Sequence, residues 1–445
     1  MKRRDFIKIG GAAALAAACA PRIKESSAPE QGKGMECREN SLNGDKVSLL
    51  GYGCMRWPMI KGQNGKDIID QEAVNEMVDY AMANGINYYD TSPAYLQGQS
   101  EKAAGIALSR YPRDSYFLAT KLSNFGDSSP EASKKMLEDS LRELNTSYFD
   151  YYLLHAIGGG GVPVFEKRYV QNGMIDFLKK KKEEGVIRNL GFSFHGSPET
   201  FDYFMSLHDK GEILWDFVQI EMNYIDWNHA DGVRNTNASY LYEQLDKRGI
   251  PIVVMEPLLG GRLANVPANI SAQMKARDPE HSVASWAFRF VGSYPRVLCI
   301  LSGMSSMDPL VENVQTFSNF RPLNGEELEF MEHLAVEMKE YPLVNCTNCK
   351  YCMPCPFGID IPGVFQHYNN SITEGTYAQS AEQKNYFKLK KAYLTSYDKA
   401  VASVRQADHC IACGHCLSHC PQSIKIPDEL LRIARYVEAL KQDIL

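Results

Sequence analysis

Eight of the twelve cysteines in this 445-residue chain crowd between Cys346 and Cys420, in two runs spaced for metal ligation. The first run is Cys346-x2-Cys349-x2-Cys352-x2-Cys355-Pro356, and the second is Cys410-x2-Cys413-x2-Cys416-x3-Cys420-Pro421. Disulfide scaffolds are usually short chains with dispersed cysteines, so clustered thiols in a long chain point to metal. Three thiolates at successive two-residue gaps can wrap three corners of a 4Fe-4S cube. Four-thiolate zinc sites also use such gaps, but not in threes followed by a Cys-Pro pair.

The two runs are copies of one unit. Cys355-Pro356-Phe357-Gly358-Ile359-Asp360-Ile361-Pro362 matches Cys420-Pro421-Gln422-Ser423-Ile424-Lys425-Ile426-Pro427, with one residue deleted inside the first run. The runs resemble two-cluster ferredoxins, in which the fourth cysteine serves the other cube. That likeness implies two 4Fe-4S clusters, one on Cys346, Cys349, Cys352 and Cys420, the other on Cys410, Cys413, Cys416 and Cys355. Helical signals between the runs, as in Ala381 to Tyr397, suit the helical ferredoxin modules of larger redox enzymes.

A second set of reactive side chains lies earlier. Asp90 closes Asn87-Tyr88-Tyr89-Asp90, with Tyr95 just beyond; Lys121 closes Leu118-Ala119-Thr120-Lys121; His155 closes Tyr152-Leu153-Leu154-His155. A tyrosine is a general acid for carbonyl reduction if an ammonium lowers its pKa, an aspartate can hold that ammonium, and a histidine can orient the carbonyl oxygen. Singly, each could be a strand-end cap or surface group. Together they make a proton relay.

The elements that position them alternate regularly. Apolar runs at 48–53, 86–89, 116–120, 150–154, 188–192, 216–220, 251–255 and 297–301 read as strands, with helices between them. One helix, Glu72 to Asn84, puts Val74, Met77, Val78 and Ala81 on one face and stops at Gly85; another begins at Ser100 as N-cap. Eight alternations fit an α/β, TIM-type (β/α)8 barrel over 45–318, followed by a mainly helical ferredoxin-like domain over 319–445. In such barrels chemistry sits at the C-terminal strand ends. No strand is followed by G-x-G-x-x-G, which argues against a Rossmann site. The Gly158–Gly161 quartet reads as a flexible loop.

The barrel resembles the aldo-keto reductases through Gly51-Tyr52-Gly53, Asp90-Thr91-x3-Tyr95, Ser100-Glu101, Lys121, Leu153-Leu154-His155, Gly191-Phe192-Ser193, Gln219 and Glu312-Asn313. The resemblance implies a tetrad of Asp90, Tyr95, Lys121 and His155, with Tyr95 as proton donor. It implies NAD or NADP as cofactor: Ser193 and Gln219 on the nicotinamide carboxamide, Glu312 and Asn313 at the adenine, Gly303 and Ser305 beneath the adenosine phosphate, and Gly53 in the same site. Three positions depart from the family pattern. Met255 replaces the usual stacking aromatic, Phe194 then His195 follow Ser193, and Ser302 to Pro309 carries no Lys or Arg for a 2′-phosphate. His195 would touch substrate or pack at its strand end.

The first twenty residues are basic at Arg3-Arg4-Asp5-Phe6-Ile7-Lys8 and apolar from Ile9 to Ala18, the layout of a twin-arginine export signal. That route carries folded proteins, so clusters can be loaded before export. Leu15-Ala16-Ala17-Ala18-Cys19 resembles a lipobox, and polar residues 21–44 would serve as a tether. The location implied is the periplasm, either as a lipid-anchored form at Cys19 or as a soluble one. A net charge of −6 and the lack of a basic stripe argue against nucleic-acid partners. Lys179 to Lys182 reads as a solvated helix face.

The leading expectation is an exported oxidoreductase acting on a small carbonyl/alcohol substrate and exchanging electrons with a redox partner. The alternatives are an electron-transfer or docking protein with a non-catalytic barrel, and clusters that are purely structural. Hydride carries two electrons and a cluster one, so the two sites do not couple without a further step. The periplasm also lacks a free nicotinamide pool, which a tightly bound, co-exported cofactor would circumvent.

Overall fold

The computed structural model describes residues 34–63, 65–230 and 235–445; the signal segment, Cys19 and most of the tether lie outside them. Eight strands form a closed barrel: Leu50–Gly53 (β1), Tyr88–Asp90 (β2), Phe117–Leu122 (β3), Phe149–Ile157 (β4), Ile187–Phe194 (β5), Phe217–Glu221 (β6), Ile252–Met255 (β7) and Val297–Ser302 (β8). Each pairs in parallel with its neighbour in chain order, and β8 returns to β1. All eight predicted strands are present.

Period-two alternation along each strand decides the two sides of the wall. Tyr88, Ala119, Tyr151, Phe217, Val253 and Cys299 pack together in the interior, while Tyr89, Leu118, Tyr152, Val218 and Val254 join the helical layer. Gly51 keeps the interior open to its neighbours, because a Cβ there would lie 2.5 Å from Cys299 Sγ. The helix Gln71–Ala83 buries Val74, Met77, Val78 and Ala81, with Asp70 accepting from Ala73 N as the cap. Ser100 is the first residue of its helix, not its cap; its hydroxyl bonds Cys54 O at 2.8 Å and Thr91 Oγ1 at 2.9 Å, tying the helix to the strand ends.

Both ends of the barrel are covered. A hairpin of Cys37–Glu39 and Lys46–Ser48 closes the N-terminal end, sending Val47 into the interior. The helix Gly325–Met338 also belongs with the barrel, since Met331, Leu334 and Ala335 join its core; the predicted domain boundary at 318 falls short of it. Beyond it, helices Ile361–Thr373, Tyr386–Ala400 and Ile426–Gln442 bury Val364, Phe365, Tyr368, Tyr393, Ile433 and Leu440 in a second core. The middle helix starts five residues later than its sequence signal at Ala381, because Gln379–Ser380 turn on the Gln383 side chain. The repeat has a structural counterpart. Both copies of Ile-x-Ile-Pro open a helix, at Ile361 and at Ile426, each with proline in the first turn.

Candidate active site

Three strand ends and one turn bring the predicted tetrad together. Lys121 Nζ lies 2.5 Å from Asp90 Oδ1 and donates to Thr91 O at 2.8 Å, with both charged side chains almost wholly buried. Its ammonium sits 4.8 Å from the centroid of the Tyr95 ring, and that ring meets His155 edge-on at 5.8 Å. Tyr95 is held by a short 3₁₀ turn in which Leu96 and Gln97 take left-handed φ of 49° and 57°. His155 Nδ1 faces Ser123 Oγ at 2.6 Å and Ser92 Oγ at 3.2 Å, so the serines fix the ring and leave Nε2 for a ligand.

Burial governs the protonation states. It pushes the His155 imidazole well below its ordinary range, with the Lys121 ammonium adding to the effect, so the ring is neutral. Burial raises Asp90 and lowers Lys121, and their direct contact opposes both shifts. Tyr95 departs from expectation. Its phenol is pushed well above its ordinary pKa, first by burial and then by the Asp90 carboxylate. The nearby ammonium is already matched by Asp90, so Tyr95 stays a protonated donor.

The tetrad opens into a cavity of about 630 Å³. Tyr95, Lys121 and His155 line it, with Ser193, His195 and Met255 from later strand ends. The Gly158–Gly161 loop forms part of the wall; Gly158, at φ 108°, packs so closely that a Cβ would lie 2.7 Å from His195 O. The other wall comes from the C-terminal module, through Cys349, Tyr351, Ser418, His419, Pro421 and Gln422. Gln422 Nε2 bonds both carboxylate oxygens of Glu221, at the end of β6, at 3.0 and 3.1 Å. Arg56 donates to Thr347 O, Arg262 to Asn345 at 2.9 Å, and a Cβ on Gly260 would lie 2.4 Å from Thr347 Cα. Sequence reasoning missed Tyr351, Gln422, Glu221, Glu256 and Arg168. Tyr351 and Gln422 sit beside cluster cysteines, but nothing in the spacing shows that the module docks on the barrel mouth.

The predicted nicotinamide residues fall into two groups. At the ring end, Ser193 and Met255 face the cavity, and the Gln219 Oε1 is buried without a hydrogen-bond partner, an acceptor suited to a carboxamide. The Ser193 hydroxyl accepts from Ala156 N at 2.7 Å. At the far end Gly303, Ser305 and Glu312 are exposed outside the cavity, and Asn313 gives its amide to Ser302 Oγ at 3.1 Å. Gly53 packs on the Ser302 backbone, and Gly303 lies against the Arg56 side chain. The structure brings the ring-end residues together and leaves the adenine-end residues on the surface.

Cys346, Cys349, Cys352 and Cys420 surround one small cavity with Ile361, Phe365 and Ile426, and Cys355, Cys410, Cys413 and Cys416 surround another with Phe357, Ile359 and Leu430. Among the described residues no group of three or more Cys, His, Asp or Glu side chains is placed to hold a single metal ion. Burial raises the Cys346 thiol to about 11 and the Cys349 thiol to about 12, so they ionise only beside strong positive charge. Four-thiol frames in apolar surroundings fit cubane clusters. Cys37, Cys54 and Cys299 stand apart from them as free thiols.

An Asp–Lys–Tyr–His cluster at the mouth of a (β/α)8 barrel, capped by a thiol-framed module, defines an iron–sulfur redox enzyme. Residues 49–335 match the aldo/keto reductase family and residues 345–424 match the 4Fe-4S dicluster domain. The chain belongs to the aldo/keto reductase family and is an NAD(P)-dependent oxidoreductase of that kind. It is 26% identical over 332 residues to the L-galactose dehydrogenase of Arabidopsis thaliana, covering 70% of this chain and 97% of that protein. It is 24% identical over 316 residues to the uncharacterized oxidoreductase YqkF of Bacillus subtilis, covering 64% and 92%. The holo form of aldo-keto reductase AKR11C1 from Bacillus halodurans shares its fold with a TM-score of 0.53 and 24% identity, over 67% of this chain and 96% of that one. The Klebsiella pneumoniae aldo-keto reductase solved with NADPH gives 0.52 and 23%, over 68% and 95%.

Proposed function

We propose that the enzyme interconverts a small carbonyl compound and its alcohol by hydride exchange with nicotinamide in the cavity shared by barrel and module, and that two 4Fe-4S clusters in the module serve a one-electron redox partner. The observation that carries this reading is the single cavity lined both by Tyr95, Lys121 and His155 and by Cys349 and Tyr351. When bound, nicotinamide would supply or take the hydride beside Tyr95, a balanced two-electron exchange with the carbonyl, while the clusters would carry single electrons to or from a partner and would take none directly from a hydride.

In the reducing direction the carbonyl oxygen takes a hydrogen bond from neutral His155 and a proton from Tyr95. The phenolate left behind faces the Lys121 ammonium and regains its proton from water in the cavity. Asp90 fixes that ammonium. Cys346, Cys349, Cys352 and Cys420 would hold the cluster nearer the cavity, and Cys355, Cys410, Cys413 and Cys416 the outer one. NAD suits the site better than NADP, because residues 302–309 carry no cation and Arg56 gives its guanidinium to Thr347. Export by the twin-arginine route, to a periplasmic or Cys19-anchored form, rests on Arg3-Arg4 and the apolar stretch behind them.

Anaerobically purified protein tests the reading. Tyr95→Phe should remove NAD(P)H-dependent carbonyl reduction at least a hundredfold while the EPR signal of the reduced clusters stays unchanged. Retained turnover in that variant would sink the assignment.

A further inference from the structure

One cation of the cavity wall is built in by neutral partners. Arg168, in the turn after the glycine loop, lines the same cavity as Tyr95 and His155. Its Nε and Nη2 donate to Asn124 Oδ1 at 3.3 and 2.8 Å, and buried Asn124 is itself fixed by donating to Ser133 Oγ at 3.0 Å. The guanidinium stands 5.1 Å from the Phe125 ring centroid and 4.8 Å from that of Tyr169. Phe125 in turn lies 5.0 Å from the His155 ring, which places Arg168 one side chain from the reaction centre.

Charge around the wall is uneven. Lys121 is matched by Asp90 at 2.5 Å, and Glu256, the one carboxylate lining the cavity among the described residues, accepts from Gly260 N at 2.5 Å. Among the described residues no carboxylate lies within ion-pair distance of Arg168. Nearby Glu166 is taken by the Tyr203 hydroxyl. A guanidinium has five donors in a planar fork; Asn124 takes two and the Tyr169 hydroxyl lies in reach of another, which leaves the rest of the fork for a ligand. An arginine held by a neutral amide and two rings is oriented at a cost that hydration alone does not require. A planar carboxylate is the partner such a fork matches.

We infer that Arg168 is the anion anchor of the pocket, and that the substrate is a carboxylate-bearing hydroxy or oxo compound. The inference rests on the carbonyl/alcohol reading above and narrows it. The carboxylate sits on Arg168 while the reacting oxygen meets Tyr95 and His155, so the arginine positions substrate and takes no part in proton or hydride transfer.

The test uses the full, cluster-loaded chain with an isosteric pair, 4-carboxybenzaldehyde and 4-formylbenzamide. The charged aldehyde should show a KM at least tenfold below its neutral twin. Arg168→Met should erase that preference and Arg168→Lys restore part of it, a rescue by charge that a purely structural role does not give. Calorimetric binding of the same two compounds reads the preference without turnover. If neither aldehyde is reduced but the charged one binds more tightly through Arg168, the catalytic reading fails and the anchor stands. Equal binding of the pair, no binding of either, or a preference that survives in Arg168→Met overturns the anchor.

Discussion

Replacing Lys121 by methionine separates a buried charge pair from its partner at the centre of the site. The two groups lie 2.5 Å apart with side-chain exposures of 1% and 3%. At an effective dielectric near 20 that contact is worth about 7 kcal/mol before desolvation is counted. Removing one member of such a pair typically costs about 3–5 kcal/mol, because the remaining charge stays buried alone. Asp90 then holds a proton more tightly in the folded chain than in the unfolded one. A group whose folded pKa is raised loses stability as pH rises, so the deficit should be largest near pH 8 and smaller near pH 5. The Asp90→Asn, Lys121→Met double variant should recover at least half of it. All four tryptophans, Trp57, Trp215, Trp227 and Trp286, fall in the barrel, so urea unfolding followed by their fluorescence reports this unit. A deficit below about 1 kcal/mol, one that does not vary with pH, or a double variant as weak as the single one would refute the buried-pair argument.

Cys355→Ser and Cys413→Ser should remove the same cluster, and Cys349→Ser and Cys420→Ser the other, each halving the iron content; EPR of the four variants checks this crossed pattern, which fails if Cys355→Ser behaves like Cys349→Ser. Glu101, buried and bonded by Thr120 Oγ1 at 2.6 Å, is pushed up to about 7 by burial. Its folded pKa is above the unfolded one, so barrel stability should fall by up to about 3 kcal/mol between pH 4.5 and 7.5, and Glu101→Gln should flatten that slope in thermal melts. Gly260→Ala, at φ 68° and against the Thr347 backbone, should loosen the module's hold on the barrel, read as faster amide exchange over residues 345–351 with the tetrad's own segments unaffected.

The barrel was legible because its strands carry strong alternation and its tetrad sits at their ends. Asp90, Lys121 and His155 announce themselves by position, as do the eight cysteines by spacing. The protonation of Tyr95 was not legible, since it depends on how deeply the folded chain buries the phenol beside Asp90. The adenine-end assignments at Gly303, Ser305 and Glu312 followed from likeness alone, and the structure leaves those residues at the surface. Arg168 carries no local signature. It matters only because the turn folds back on Phe125 and Tyr169, a tertiary event between residues 43 positions apart or adjacent in the chain. The docking of Gln422 on Glu221 spans 201 residues, beyond any periodicity.

That last bond links assembly to competence. Gln422 lies two residues past Cys420, so the frame that would hold a cluster and the wall that closes the pocket are one piece of chain. Any shift of that frame is therefore carried straight to the pocket wall, so a change at Cys420 is felt where substrate would sit as well as where a cluster would.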